Sequence, residues 1–238
     1  MAYVPGIKSP LLKSASQHSS YNYTIRLDFF DFFPSIKCDD LKKQLEQIYL
    51  LRPQDEQLLE KILFRSRSSQ HYVLPVGAPT SPVISNIVMR DLDSAFHALS
   101  KEIDVKSAIT RYADDLYFST NTKGVCADFH HAVQMLLNEF ENPKLTLNER
   151  KTLFLSRGTK RVVNGLFVTP DGRVTIGREQ KNKIKKLLYK ISIEQITDEE
   201  FQSAKGLLAF IKDCEPEFYQ RLAIKYGKSF FDLIKEKR

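Results

Sequence analysis

Three aspartates interrupt segments that are otherwise apolar. Asp114 and Asp115 are adjacent within ITRYADDLYFS (109–119), and Asp28 lies in YTIRLDFF (23–30). Burying neighbouring carboxylates is costly unless a cation neutralises them, and a hard divalent ion such as Mg²⁺ prefers carboxylate oxygens. The alternative is that the adjacent aspartates are ordinary turn residues at the tip of a hairpin.

The three aspartates can act together if their segments are neighbouring strands. Three carboxylates at one end of a sheet can hold two Mg²⁺ ions about 4 Å apart, an arrangement that stabilises the attacking and the leaving oxygens of phosphoryl transfer. The pattern therefore predicts a phosphoryl-transfer site in which Asp28, Asp114 and Asp115 are the catalytic metal ligands.

The surrounding residues predict the elements that would position this site. Residues 23–30 have the β-branched and aromatic density of a strand, and residues 107–120 are typical of a β-hairpin whose strands flank Ala113, Asp114 and Asp115. Apolar residues at helical spacing recur over 84–103 and 178–192. The order of elements predicts an α+β fold: an antiparallel sheet with helices packed on one face, followed by a basic helical module.

Two helix starts are also predicted. Ser9 is expected to cap a helix with Pro10 at its first position. Asp39 or Asp40 is expected to cap the helix that follows Pro34.

Composition places the chain among ordinary globular proteins. Of its 238 residues, 42% are hydrophobic and 27% are charged, which does not fit a disordered chain. It has no run of about 18 apolar residues, the length of a transmembrane helix, and its N-terminus lacks the apolar core of a secretion signal. The three cysteines have no CxxC spacing and fit reduced thiols. We therefore expect a cytoplasmic protein with no membrane partner.

Positive charge is concentrated in the last third of the chain. The formal net charge is +7, and residues 151–238 contain 19 Lys and Arg against 11 Asp and Glu. Such a distribution is mild evidence for a polyanionic partner. The alternative is a solvated, lysine-rich surface.

Four motifs in order resemble those of reverse transcriptases. RYADD resembles their Tyr-x-Asp-Asp motif, and RLDFFDFFPSI resembles their first catalytic motif, in which an aromatic residue follows an aspartate by five positions. LPVGAPTSPVISN resembles their nucleotide-site loop and helix, and LTLNERKT resembles the lysine-bearing motif that comes next. The resemblance implies a right-hand polymerase palm with partial fingers, a C-terminal helical thumb, and an RNA-directed DNA polymerase activity that uses two Mg²⁺ ions.

Two further segments resemble the retron-type reverse transcriptases of bacteria. KSASQH is similar to their Asn-Ala-x-x-His element, with Ser14 in place of Asn, and His18 matches the histidine. Val163-Asn164-Gly165 stands where they have Val-Thr-Gly. A group II intron type or another defence-associated bacterial reverse transcriptase is the alternative.

The resemblance assigns roles around the catalytic aspartates. Asp28 and Asp114 are expected to bridge both ions, with Asp115 more peripheral. Lys151 is a candidate acid for the departing pyrophosphate or a charge stabiliser; an exposed strand lysine is the alternative. The other implied nucleotide-binding residues are Phe29, Phe33, Val76, Gly77, Ala78 and Pro79.

Two of these nucleotide-site positions have specific expectations. Phe33 is implied to be the gate under the deoxyribose that favours dNTP over NTP, although Phe32 competes for that position. Val76 stands where the family usually has Gln, and a valine side chain cannot form the corresponding hydrogen bond.

Basic residues are the expected nucleic-acid contacts. The resemblance implies a structured noncoding RNA as template and primer, nascent DNA, dNTPs, and a toxin or effector protein as partners. Basic side chains grip a duplex by its phosphates without reading its sequence. The candidate contacts are Arg65, Arg67, Arg111, Arg173, Arg178, Lys181 and Lys185. For Arg111, support of the hairpin is the alternative to contact with the primer.

The expected domains follow from the same resemblance. Residues 1–22 and 37–80 are assigned to partial fingers, residues 23–36 and 81–168 to the palm, and residues 169–238 to the basic thumb. The resemblance begins part-way into the fingers, so the chain is expected to lack their N-terminal part.

The leading hypothesis is a retron-type polymerase that copies a structured RNA into RNA-linked single-stranded DNA in antiphage defence. The competing hypothesis is a truncated nucleic-acid-binding component with little polymerase activity. Val76 and the absent fingers favour the second hypothesis, and the three aspartates favour the first.

Overall fold

A computed structural model describes residues 9–48, 50, 52–68, 71–227, 230, 231 and 234. They fall into two compact units: Ser20–Thr159, and the described parts of Ile7–Ser19 and Lys160–Arg238. Among the described residues, no helix is long and apolar enough to cross a membrane.

The first unit contains a four-stranded sheet, a small hairpin and six helices among its described residues. Its strands are β1 (Tyr23–Asp28), β2 (Arg65–Ser68), β3 (His71–Val73), β4 (Ala108–Tyr112), β5 (Asp115–Thr120) and β6 (Leu153–Ser156). Its helices are α2 (Phe32–Ser35), α3 (Cys38–Glu46), α4 (Pro53–Leu63), α5 (Ser81–Val88), α6 (Arg90–Ile103) and α7 (Val125–Glu139), with a 3₁₀ turn at Glu149–Lys151.

The main sheet brings the two aspartate-bearing segments side by side. Its strand order is β4-β5-β1-β6, and every neighbouring pair is antiparallel. Because side chains alternate along a strand, Ile25 and Leu27 of β1 point to one face and are fully buried in the core. On β5, Phe118 stacks on Phe129 of α7 with ring centroids 4.1 Å apart. This confirms the predicted α+β fold with an antiparallel sheet.

The helix starts differ from the predicted capping. Pro10 is the first residue of α1 (Pro10–Gln17), as predicted, but Ser9 does not cap the helix. Its hydroxyl instead donates to Asp213 Oδ1 at 2.9 Å. Helix α3 begins at Cys38, before both predicted caps, and Asp40 accepts a hydrogen bond from the Lys37 backbone N–H at 2.8 Å.

The second unit joins α1 to the C-terminal part of the chain. It contains a small sheet of β7 (Arg161–Val163), β8 (Leu166–Val168) and β9 (Val174–Thr175), then α8 (Gly177–Ser192), α9 (Asp198–Cys214) and α10 (Pro216–Tyr226). The predicted partition grouped residues 1–22 with residues 37–80 as fingers. The structure instead packs the α1 segment with the C-terminal unit, because its partners lie there.

A hydrogen bond joins the two retron-like segments within this unit. Asn164 Nδ2 donates to Ser14 Oγ at 2.8 Å. Asn164 and Gly165 form the tight turn between β7 and β8, with φ of 50° and 79°. Asn-Gly suits such a turn because both residues tolerate positive φ. The two positions that depart from the family's pattern are therefore in direct contact.

A buried histidine lies at the end of α1. His18 is completely buried, and the guanidinium of the equally buried Arg161 lies next to its backbone, with Nη1 3.5 Å from the His18 carbonyl oxygen. Burial, together with the charge of Arg161, lowers the pKa of His18 from 6.5 to about 3. The side chain is therefore neutral at physiological pH.

We expect acid to destabilise the chain through His18. Between pH 6.5 and about 3 the unfolded chain binds a proton that the folded chain does not. The contribution of His18 to the free energy of unfolding is thus complete above pH 6.5. Below that pH it decreases by about 1.4 kcal/mol per pH unit, so that about 2 kcal/mol is lost at pH 5. Urea unfolding at pH 7 and pH 5 should show a smaller pH dependence for His18→Gln than for the wild type.

The control for this prediction is His97→Gln, which changes an exposed histidine of α6. Its unfolding free energy should change between pH 7 and pH 5 as much as that of the wild type. Equal pH dependence in all three proteins would show that His18 titrates normally.

Candidate active site

Two of the three aspartates face each other across neighbouring strands. Asp28, the last residue of β1, is the register partner of Asp115, the first residue of β5. Asp114 occupies the turn between β4 and β5, and its carbonyl oxygen accepts a hydrogen bond from the Phe29 N–H at 3.1 Å. Strand pairing therefore places the three residues at one end of the sheet, as the sequence pattern predicted.

Two cations of the chain contact these carboxylates. Arg26 Nε donates to Asp115 Oδ1 at 2.8 Å, and its Nη2 lies 3.9 Å from Asp28 Oδ2. Lys151 Nζ lies 3.2 Å from Asp28 Oδ1 and 3.3 Å from Oδ2, with hydrogen-bond geometry only to Oδ2. Sequence reasoning missed Arg26, although its place two residues before Asp28 puts it on the same face of β1.

Burial makes this end of the sheet unfavourable for unneutralised negative charge. Asp28 is 1% exposed, and its Oδ1 has no hydrogen-bond partner among the described residues. Desolvation raises the pKa of Asp115 above its ordinary value, although the hydrogen bond and the charge of Arg26 act in the opposite direction. A further cation at this position would neutralise both groups.

The donor set fits a hard divalent ion, but a complete ligand cluster is not preformed. Carboxylate oxygens are the ligands that Mg²⁺ prefers, and Asp28 Oδ1 is a buried oxygen available to one. Among the described residues, however, no three His, Cys, Asp or Glu side chains converge closely enough to hold a metal ion. The metal-ligand role of the three aspartates therefore stays a prediction.

A cavity opens beside the turn that carries Asp114. Its volume is about 240 Å³, and it is lined by Phe33, Pro82, Ser85, Asn86, Tyr112 and Ala113. Phe33 thus lines a space next to the turn that carries Asp114, which is compatible with the predicted gate. Pro82, Ser85 and Asn86 come from the start of α5 and were not singled out from the sequence, although they belong to the quoted SPVISN segment.

The neighbouring phenylalanines lie in the core instead. Phe32 is 4% exposed, and Phe29 is 2% exposed and stacks on Phe96 with ring centroids 6.1 Å apart. Phe33 is therefore the better placed of the two gate candidates. The ring of Phe29 is buried against Phe96, so the structure gives no support to the expected nucleotide contact by this side chain.

The predicted nucleotide loop is exposed and fixed at its base. Val76 is 74% exposed, Gly77 has a φ of +86° that favours glycine, and Ala78 and Pro79 precede α5. Ser81 Oγ donates to the Pro75 carbonyl oxygen at 2.6 Å, which closes the loop. The backbone of this loop is thus free to approach a ligand.

The basic residues of the first unit differ in their availability. Arg65 is exposed on β2, whereas Arg67 lies in the same strand and its side chain lies outside the described residues. Arg111 is 2% exposed. It donates to both Asp93 oxygens at 2.6 and 2.7 Å and to the Ala113 carbonyl at 2.9 Å. Of the two roles that the sequence left open for Arg111, these contacts favour support of the hairpin over contact with nucleic acid.

The basic residues of the second unit divide in the same way. Arg173, Arg178 and Lys185 are exposed, and Arg173 pairs with Asp171. Lys181 instead forms a partly buried ion pair with Glu215. Because Glu215 offsets the charge of Lys181, this lysine is less suited to bind a phosphate than its sequence context predicted.

Comparison with known proteins agrees with this geometry. A family model described as "Reverse transcriptase (RNA-dependent DNA polymerase)" matches residues 2–196. The chain is 35% identical to the Retron Ec83 reverse transcriptase of Escherichia coli, over 99% of this chain and 75% of that protein. It is also 35% identical to the Retron Ec73 reverse transcriptase of the same organism, over 92% of this chain and 70% of that one.

Solved structures show the same fold at low sequence identity. Apo telomerase from Candida tropicalis superposes with a TM-score of 0.52 and 12% identity, covering 98% of this chain and 50% of that one. Telomerase from Candida albicans, solved with a fragment of telomeric RNA, gives a TM-score of 0.51 and 13% identity, covering 97% and 46%. By its family match and its relatives, the chain belongs to the retron-type reverse transcriptases, which are RNA-directed DNA polymerases.

Proposed function

We propose that this chain adds deoxynucleotides to a primer on an RNA template by a two-metal mechanism, with Mg²⁺ held by Asp28, Asp114 and Asp115. The observation that carries the proposal is the burial of Asp28 opposite Asp115, with one carboxylate oxygen that has no hydrogen-bond partner among the described residues. When bound, such ions would stabilise the attacking and leaving oxygens of the transfer.

The chain's own residues would orient the reactants and handle the leaving group. The primer 3′ hydroxyl would lose its proton to water as its oxygen bonds to the α-phosphorus of the dNTP, and the bond from that phosphorus to the pyrophosphate oxygen would break. Lys151, whose Nζ lies within 3.3 Å of Asp28, would give a proton to the departing pyrophosphate or stabilise its charge. Phe33 would limit the space under the sugar and so favour dNTP over NTP.

We also propose the product and the biological role that are expected of the retron type. The template would be a structured noncoding RNA, the product a single-stranded DNA joined to RNA, and the setting antiphage defence with an effector protein. The support is family membership, together with the exposed basic side chains of Arg173, Arg178 and Lys185, which suit phosphate contacts.

Primer extension tests the catalytic part of the proposal. The purified full chain, an RNA template, a DNA primer and dNTPs should give extension that rises steeply with Mg²⁺ and stops with a chelator. Asp28→Asn should abolish extension while the protein stays folded by circular dichroism. Extension that is unaffected by Asp28→Asn would contradict the proposed metal site, and a wild type that binds RNA without extending the primer would favour the nucleic-acid-binding alternative.

The product and the role need a test in cells. DNA recovered from cells that express the chain with its noncoding RNA should become shorter on ribonuclease treatment, because RNA is joined to it. Plaque counts should rise when Asp28→Asn replaces the wild type. Phage protection that survives this substitution would exclude a role for DNA synthesis in defence.

A further inference from the structure

The turn that carries Lys151 is set between two stretches that pair with β1. Before the turn, the Asn148 N–H donates to the Asp28 carbonyl oxygen at 2.8 Å. After it, β6 pairs with β1 from Leu153, the register partner of Arg26. The intervening 3₁₀ turn, Glu149–Lys151, therefore bulges from the sheet edge next to Asp28.

Two side chains of α7 hold this turn through one carboxylate. Gln134 Nε2 donates to Glu149 Oε1 at 2.8 Å, and His130 Nε2 lies 3.1 Å from Glu149 Oε2. His130 and Gln134 are four residues apart, so they lie on the same face of α7 one turn from each other. Both side chains have hydrogen-bond geometry to Glu149 Oε1, with His130 Nε2 at 3.3 Å, so two side chains of one helix contact the Glu149 carboxylate.

The same helix also contacts the chain on the other side of Lys151. The edge of the His130 ring packs against Phe154 of β6, with centroids 6.1 Å apart. His130 therefore contacts one residue before Lys151, within the turn, and one residue after it. Short 3₁₀ turns have poor internal hydrogen-bond geometry, so these external contacts are well suited to fix the turn.

We propose that His130, Gln134 and Glu149 form a clamp that positions Lys151 against Asp28. The inference rests on the proposed role of Lys151 and assigns positioning residues to it. The Lys151 side chain is 59% exposed and reaches Asp28 at 3.2–3.3 Å, and a free lysine side chain loses rotamer entropy when it is held in one position. A fixed backbone turn limits the volume that its ammonium group explores.

The test separates loss of proton donation from general damage. Single-turnover addition is measured with dNTP analogues whose β,γ-bridging oxygen is replaced by CF₂, a good leaving group, or by CH₂, a poor one. Glu149→Ala should lower the rate constant about 10-fold with the CH₂ analogue and less than about 2-fold with the CF₂ analogue, because a missing acid matters most for a basic leaving group. The apparent KM for the analogue should stay unchanged.

Three variants serve as comparisons. Lys151→Met should show the same dependence on the leaving group with a larger loss, about 30-fold with the CH₂ analogue. Glu149→Gln keeps one side-chain oxygen that can accept hydrogen bonds from Gln134 and His130 and should recover most of the wild-type rate. Glu139→Ala removes an exposed carboxylate from the end of α7 and should behave as the wild type.

Each contrary result has a distinct meaning. A loss in Glu149→Ala that is equal for the two analogues, or no loss at all, would overturn the clamp while leaving the polymerase proposal intact. A Lys151→Met variant with no leaving-group dependence would overturn both the role of Lys151 and the clamp that serves it. A failure of the proposed metal site would appear in a different variant, as primer extension that survives Asp28→Asn. The two failures can therefore be told apart.

Discussion

Asp114→Asn is expected to lower the rate constant for nucleotide addition by about 1,000-fold or more, which corresponds to about 4 kcal/mol of transition-state stabilisation. Asp114 lies in the turn beside Asp28, and the proposal makes both carboxylates bridge the metal ions. An asparagine keeps the size of the side chain but removes the negative charge that binds a divalent ion. Rapid-quench primer extension on an RNA template measures the loss.

Asp115→Asn should have a much smaller effect, about 10-fold, which is about 1.4 kcal/mol. The reason is the environment of Asp115 in the structure. One of its oxygens accepts from Arg26 at 2.8 Å, and the other lies 3.5 Å from the Tyr117 hydroxyl. Arg26 therefore already offsets part of the Asp115 charge, and an amide oxygen at the same position can still accept from Arg26.

Arg26→Gln provides the matched comparison. If Asp115 acts mainly through Arg26, this variant should lose activity to a similar degree as Asp115→Asn. The double variant should then lose clearly less than the product of the two single losses, because the residues form one coupled pair. A loss in Asp115→Asn as large as that in Asp114→Asn would instead make Asp115 a full metal ligand.

Gly177→Ala is expected to destabilise the chain by about 2–4 kcal/mol. Gly177 begins α8 with a φ of +83°, a conformation that residues with a Cβ rarely adopt. A Cβ at this position would lie 2.3 Å from two atoms of the Phe167 ring on β8. The substitution therefore strains the backbone and forces apart the small sheet and α8. Urea or thermal unfolding of the full chain measures the effect.

Gly206→Ala is the control within the same unit. Gly206 lies in α9, is exposed, and a Cβ there would have no atom within 4 Å. Alanine should stabilise this helix position by about 0.5–1 kcal/mol, because glycine has the higher conformational entropy in the unfolded chain. If Gly177→Ala were as harmless as Gly206→Ala, Phe167 would have to move away at no cost.

The sequence by itself determined the elements that surround the catalytic residues. The β-branched and aromatic density around Asp28 predicted one strand, and the hairpin pattern around Asp114 and Asp115 predicted neighbouring strands whose acidic ends could meet the first. The structure confirms this with Asp28 opposite Asp115. Strand alternation and turn preferences depend on a few adjacent residues, so they can be predicted from short segments of the sequence.

The tertiary structure alone decided how the charged side chains are used. Arg111 and Lys181 were equally plausible nucleic-acid contacts in the sequence, but they are engaged with Asp93 and Glu215, respectively. Arg26 reaches Asp115, 89 positions away, and was not predicted. Such partners follow from strand order and helix packing, which bring distant residues together without a local pattern.

Packing of distant elements also relates the two positions that depart from the family's pattern, Ser14 and Asn164. Ser14 and Asn164 are separated by 150 positions and were read as independent substitutions, yet they share a hydrogen bond because α1 packs with β8. The chemistry of each residue was visible in the sequence. The pairing was not, because a hydrogen bond across two elements depends on their packing and not on the residues that flank each partner.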